Sequence, residues 1–498
     1  MHEHVRALIA ILFLASIGFF FAKRITQENV AINEFNRWRN MWIGLTIAGF
    51  LSGNFYVYTV IGCFVIFLLS KKTLNKPALF FVLLFALPPV GEAIPGFGIV
   101  NYLFTLTHPR FIELVVLLPA AVIISRKNDF GFGKIWTDKF LMMYLLVFIG
   151  LELRDTTLTD ALRKSFYLFL DVFLPYYVAS RGIKDISQMK VAISAFVTSA
   201  IVIGIIAIFE NLKHWLLYNS LGAALGSTES STLYLGRAGE LRAIASLWHS
   251  IVLGYFMTVA LGLYFFLSSQ ISNANIKKLG FLLVILGLIA PLSRGPWVGA
   301  GILSVLFLLQ GPQAIKRMSI LIFSGIITLA GLSMLPGGQK YIDLIPFVGT
   351  AEKGNVDYRE KLFHNSLIVI GRNPFFGSST YLQTPEMQEM KQGQGIIDIV
   401  NSYLRIALEV GYVGLGLFIA IFLSALLRIR KTMLLYRDKK DAHHILGRSL
   451  IATVLSIMIM LAAVSTIGTV SNIYWSILGL GIAYTRFSRA LNKQPAIG

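Results

Sequence analysis

Six residues in the second half of the chain have side chains able to grip a phosphate or move a proton: Arg242, His249, Arg294, Arg359, Asp398 and Asn401. In Arg242-Ala-Ile-Ala-Ser246-Leu-Trp-His249 the separation of seven residues is two helical turns. It predicts that a cation and a titratable base share one helix face, with Ser246 between them. The plainer use of the same residues is a snorkelling Arg242 and a His249 that caps or packs. Ser293-Arg294-Gly295-Pro296 reads as a tight turn between two apolar runs that holds Arg294 close to a bilayer. There its planar fork matches phosphate oxygens, and a lipid headgroup is the simplest such partner.

A polar stretch follows, from Pro336 to Asp398. Asp357 and Glu360 have the spacing of a helix capping box. A helix is predicted from there to about Gly371, ended by Asn373-Pro374 and packed down through Leu362, Phe363 and Leu367. Arg359 stands near its start, either offered to a ligand or paired with Asp357 or Glu360. His364 reads as a surface or packing residue. The segment Gln392 to Tyr403 leads back into an apolar run, with Asp398 about one turn before Asn401. Either could meet a hydroxyl, and Asp398 could equally cap the span. Arg405 and Glu409, four residues apart, are expected to neutralise each other.

The elements that must position these groups follow from composition. The chain has 498 residues, 56% of them hydrophobic and 14% charged, so apolar runs recur far too often for a soluble domain. The runs are continuous rather than alternating. The fold class expected is therefore all-α, a polytopic helical membrane protein with about 12–15 transmembrane helices. A net charge of +19 is spread over short loops and does not form one basic domain, which argues against nucleic acid and for topology signals. Basic loops alternate with others near residues 91–109, 154–164, 211–244, 293–295, 336–398 and 467–469, which are placed outside. An outward N-terminus, a first run retained as a span and a cytoplasmic C-terminus complete the expected topology. The organisation expected is one integral domain over 1–498, with a smaller extracytoplasmic insertion at 211–244 and a large structured loop at 336–398. The single cysteine, Cys63, allows no disulfide and reads as a core thiol.

The outer connections lack an Asp-x-Asp pair, a His/Cys cluster with metal spacing and a phosphate-cradling glycine loop. Neither metal nor cofactor is expected, and phosphate would have to be met by arginine.

On these residues the chain resembles the O-antigen ligase and polymerase superfamily of bacterial membrane glycosyltransferases, over roughly 240–425. The likeness is carried by Arg242 at the mouth of a span, by Ser293-Arg294-Gly295 and by Arg359. Asn373-Pro-Phe-Phe-Gly377 and Asn401-Ser-Tyr-Leu-Arg-Ile-Ala-Leu-Glu409-Val-Gly411-Tyr-Val-Gly414 complete it. The resemblance implies metal-independent, inverting transfer of a glycan from a polyprenyl diphosphate at the outer face of the inner membrane. Ligases of the group typically carry a His immediately before the Asn of the re-entering span, where this chain has Val400. The pattern is closer to exopolysaccharide repeat-unit polymerases, whose acceptor is another lipid-linked oligosaccharide.

On that reading Arg242 and Arg294 bind the diphosphate, and Arg359 and Asn401 meet donor or acceptor. His249 or Asp398 takes the acceptor proton, with His249 favoured because an imidazole titrates near neutrality. The partners implied are the lipid-linked oligosaccharide, membrane lipid, and chain-length and export proteins. A ligase delivering the glycan to a lipid or protein acceptor, and a flippase for the lipid-linked sugar, are the alternatives. The chain shows no paired halves of the kind a transporter uses.

Overall fold

The computed structural model describes residues 2–493 apart from 71–72, 74, 99, 128–130, 228–234, 238, 335–341, 346–352, 393–394 and 466. The chain is almost entirely helical, as its unbroken apolar runs require where no water can satisfy the backbone. Among the described residues, two small hairpins are the additions that run length did not predict. They pair Gly91–Pro95 with Tyr102–Thr107 and Gly236–Arg237 with Glu240–Leu241.

Among the described residues, seven helices are long and apolar enough to cross a membrane: Glu3–Thr26, His108–Arg126, Ile186–Lys213, Ser250–Ser269, Ala314–Gly331, Ser402–Met433 and Ala442–Leu461. Phe55–Ser70 and Arg294–Leu309 are apolar but shorter. The number is below the 12–15 expected because other apolar runs fold as short helices, such as Lys76–Leu84, or as helices richer in charge, such as Trp136–Asp155. Two runs are interrupted by a π turn, Glu113–Leu117 ahead of Pro119 and Phe169–Phe173 ahead of Pro175. A proline cannot donate to the preceding turn, and a wider turn absorbs the missing bond.

Burial sorts the helices into layers. The most apolar stretch of Ser250–Ser269 is 89% buried, whereas that of Ala314–Gly331 is 0% buried. A helix apolar on all sides belongs either to the protein interior or to lipid, and these are the two cases. Ser250–Ser269 packs between Ile186–Lys213 and Ala442–Leu461, and the ends of these inner helices carry the polar residues described below. Cys63, expected in the core, is exposed on Phe55–Ser70 beside Val60, Phe64 and Phe67. Its helix turns that side away from its neighbours.

The polar stretch after Ala314–Met334 is structured where it is described. Its main helix runs Lys353–Arg372, so Asp357 lies inside the helix and does not cap it. Leu362 is buried, but Phe363 and Leu367 are exposed. The inward face is instead Leu362, Asn365, Ser366, Val369 and Ile370, because the period of 3.6 brings positions three and four apart onto one side. Tyr381, Met387, Met390, Ile399, Leu404 and Leu408 complete this smaller core, which runs onto the Ser402 helix.

Candidate functional site

The Gly236–Leu241 hairpin lays the following segment against the turn that precedes Arg294. The Arg242 N–H donates to the Leu235 carbonyl at 2.9 Å, and the Ala243 N–H to the Ala290 carbonyl at 3.3 Å. The Arg242 side chain is buried, with Nε donating to the Pro291 carbonyl at 3.2 Å and Nη2 to Ser293 Oγ at 2.9 Å. Ser293 Oγ in turn donates to the Ser250 carbonyl at 3.0 Å. Arg237 holds the same turn through Nη1 and the Leu292 carbonyl, 2.6 Å apart. Two guanidinium groups thus converge on residues 291–293.

Arg242 and His249 do not share a helix face. A 3-10 turn, Ala245–Leu247, separates them, and the helix begins only at Ser250. The segment is anchored by Glu210, at the end of its helix, whose Oε2 accepts from the N–H groups of Ile244 and Ala245 at 3.0 and 2.8 Å while Oε1 accepts from Leu217 at 2.9 Å. Ser246, buried, donates to the Phe85 carbonyl at 2.7 Å. Ala245 (φ 46°), Trp248 (φ 63°) and Leu292 (φ 47°) adopt the left-handed conformation around this junction, which the surrounding bonds must hold. Glu210→Ala is expected to leave three buried N–H groups unmet and to cost about 3 kcal/mol or more. A lowered Tm in detergent checks it, and an unchanged Tm would remove Glu210 from this role.

His249 caps the Ser250 helix, its Nδ1 accepting from the Ile251 N–H at 3.1 Å. The neutral ring therefore carries its proton on Nε2. Burial, reinforced by the Arg242 charge and opposed by Asp398, lowers its pKa to about 4. Near neutral pH His249 is uncharged and presents an N–H.

The cap of the re-entering span is Asn401, whose Oδ1 accepts from Tyr403 and Leu404 N–H at 2.9 and 3.2 Å. Asp398 does not cap it, because it lies three residues before Asn401, outside the reach of the first helical turn. Asp398 instead accepts from Ser465 Oγ at 2.9 Å, and its carbonyl accepts from Tyr358 OH at 2.9 Å. Arg359 reaches toward the same loop, its Nη2 lying 3.4 Å from the Ala463 carbonyl. Burial lowers the Arg359 pKa, Asp398 favours its charge and Arg237 opposes it. Among the described residues it forms no ion pair with Asp357 or Glu360.

Arg237, Arg242, His249, Arg359 and Asp398 therefore share one electrostatic neighbourhood, at the end of the bundle where the Ser250 and Ser402 helices begin. Arg294 leaves the same turn and points its fork elsewhere. Its Nε donates to the Leu344 carbonyl at 3.1 Å and its Nη2 to the Asp343 carbonyl at 2.9 Å, which ties the turn to the polar stretch. Sequence reasoning missed Arg237, Glu210 and Ser465. For Arg237 a signal existed in Gly236-Arg-Ala-Gly239, a turn-forming run five residues before Arg242.

A second joint fixes the loop to the span. The Ser402–Met433 helix is broken at Gly411 (φ 67°, ψ −170°), and the loop segment Asn373–Gly377 enters the break. Tyr412 and Val413 N–H donate to the Pro374 and Phe375 carbonyls at 2.7 and 3.2 Å, and Ser378 N–H donates to the Leu408 carbonyl at 2.9 Å. Backbone groups that a break would expose are thereby satisfied by protein. Just before the break Arg405 and Glu409 form the expected ion pair at 3.1 Å, with Tyr381 OH 3.4 Å from Glu409.

Fold and site together define a polytopic helical membrane protein with arginines gathered where its Ser250 and Ser402 helices begin. Residues 279–419 match the protein family described as O-Antigen ligase. The match takes in Arg294, Arg359, Asp398, Asn401 and both sides of the Gly411 joint. Arg237, Arg242 and His249 precede it. Comparison with curated proteins found no match.

Proposed function

We propose that the protein joins polyprenyl-diphosphate-linked oligosaccharide repeat units into a polysaccharide at the outer face of the bacterial inner membrane. The observation that carries this reading is the convergence of Arg237, Arg242 and Arg359 on His249 and Asp398 at one end of the bundle. Diphosphate needs several cationic donors, whereas a transferred sugar needs one acid or base beside them. In this proposal Arg242 and Arg359 take the diphosphate oxygens as the glycosidic bond breaks, and their charge stabilises the leaving group. Arg294 joins them by exchanging two carbonyl oxygens for two phosphate oxygens, a swap its fork geometry permits. His249 donates Nε2–H to the leaving oxygen or the sugar. Asp398 accepts the acceptor proton, a reversal of the preference based on imidazole titration, because His249 Nδ1 is already committed to Ile251. Asn401 sets the start of the span and keeps Asp398 over the site.

The family's description favours a second reading, a ligase that hands a finished chain to a lipid or protein acceptor. Purified protein given a synthetic polyprenyl-diphosphate-linked repeat separates the two. A ladder of lipid-linked products supports the polymerase. Transfer only when a separate acceptor is added supports the ligase, and movement across vesicles without any new glycosidic bond supports a flippase and overturns both. Asp398→Asn is expected to slow transfer by about 10²–10⁴-fold with substrate binding retained. Undiminished turnover would remove Asp398 as the base.

A further inference from the structure

At the opposite end of the bundle lies a cavity of about 440 Å³ between the ends of Leu118–Arg126, Leu174–Gly182 and Val470–Lys493. Its walls are largely apolar, from Ile124, Phe132, Tyr177, Ile183 and Phe487, and its polar lining is cationic, from Lys127, Arg181, Lys184 and Arg486. Among the described residues no carboxylate lines it. Asp138 is buried behind Arg181, and its oxygens already receive Arg181 Nη2, Tyr176 OH at 2.7 Å and Gly133 N–H at 3.2 Å. Arg181 has only 4% of its side chain exposed, and its Nε has no hydrogen-bond partner among the described residues. Topology signals alone would leave basic side chains in solvent. Here one guanidinium is sunk among Phe132, Tyr176 and Tyr177, within 6.0 Å of each ring centroid. Cationic side chains at the head of an apolar cavity beside a membrane suit a molecule with an anionic head and a hydrocarbon tail.

We propose that this cavity binds one phosphate-headed lipid, its phosphate between Lys184, Arg486 and Arg181 and its chain along Phe132, Tyr177 and Phe487. The shared chemistry is a lipid phosphate, whether the diester of a glycerophospholipid or the monoester of a polyprenyl phosphate. The site is remote from the arginine cluster described above and does not depend on its function.

The test uses the full-length protein, delipidated in detergent and titrated separately with phosphatidylglycerol, phosphatidylcholine and a short-chain polyprenyl phosphate, with native mass spectrometry as readout. Saturable retention of a single phosphatidylglycerol or polyprenyl phosphate is expected, and whichever is held more tightly identifies the source. In Lys184→Ala/Arg486→Gln the apparent Kd is expected to rise at least tenfold, with Arg486→Lys close to wild type. Three results would each overturn the proposal: non-saturable uptake, equal retention of phosphatidylcholine by the wild type, or equal retention of the anionic lipids by the double variant. The wild-type comparison of lipids decides the matter even if the double variant fails to fold.

Discussion

Arg242→Gln is expected to reduce glycan transfer about a hundred- to a thousandfold, the scale on which loss of one preorganised charge-stabilising donor acts. The same change is expected to raise the pKa of His249 above its value of about 4. Gln keeps an amide able to reach Ser293 or Pro291, so the turn retains a donor where Ala would leave two oxygens unmet. The two effects have separate causes, one on a bound diphosphate and one on an unliganded protein. Imidazole resonances of histidine-labelled protein, assigned against His249→Gln, report the second. A guanidinium beside His249 penalises protonation, so its removal moves the midpoint upward toward the ordinary histidine value of 6.5. The sign for stability follows: a histidine whose folded pKa is depressed loses stability as pH falls from 6.5 toward about 4, because the unfolded chain binds the proton first. The variant should lose less over that window. An unmoved His249 midpoint would break the electrostatic neighbourhood proposed for the site. Normal transfer with a shifted midpoint would leave Arg242 as a residue that only holds the turn.

Gly411→Ala should undock the loop from the span. At φ 67° and ψ −170° the backbone sits where essentially only glycine is found, and strain of this kind costs about 1–3 kcal/mol. A Cβ there would also lie 2.3 Å from the carbonyl carbon and oxygen of Phe375 and 2.4 Å from the Phe376 nitrogen, backbone atoms with nowhere to go. Gly377 faces the same joint from the other side, at φ 59°, and a Cβ on it would lie 2.5 Å from the Leu408 carbonyl oxygen. Each substitution is expected to cost about 3 kcal/mol or more, seen as a lower Tm and as faster proteolysis between residues 373 and 384. If both break one joint, the double variant loses little more than either single one, since neighbouring changes acting through one contact are not additive. Wild-type cleavage and melting in Gly411→Ala would show that the loop is held elsewhere. Transfer activity should fall with the joint, because Arg359 and Asp398 lie on the segment that it fixes.

The amino-acid sequence alone determined the solvent of this protein and much of the inventory of its site. Continuous apolar runs can satisfy their backbone in lipid only as helices, so the class followed from composition. The Arg405–Glu409 pair followed as directly, because spacing within one helix sets which side chains meet. Asn373-Pro374 ended its helix where a residue before proline must leave the helical region. What spacing could not decide was every contact made between segments remote in the chain. The helical face read into Arg242 and His249 is broken by left-handed backbone at Ala245 and Trp248, in a segment that Glu210, more than thirty residues earlier, anchors through the N–H groups of Ile244 and Ala245. Asp398 was not the cap, because Ser465 and Tyr358 hold it from other elements and Asn401 sits nearer the first turn. Arg237 entered the neighbourhood only when a short hairpin folded it onto the Leu292 carbonyl. Local periodicity fixes which side chains share an element. Long-range hydrogen bonds choose among the conformations that periodicity leaves open, and only the tertiary structure contains them.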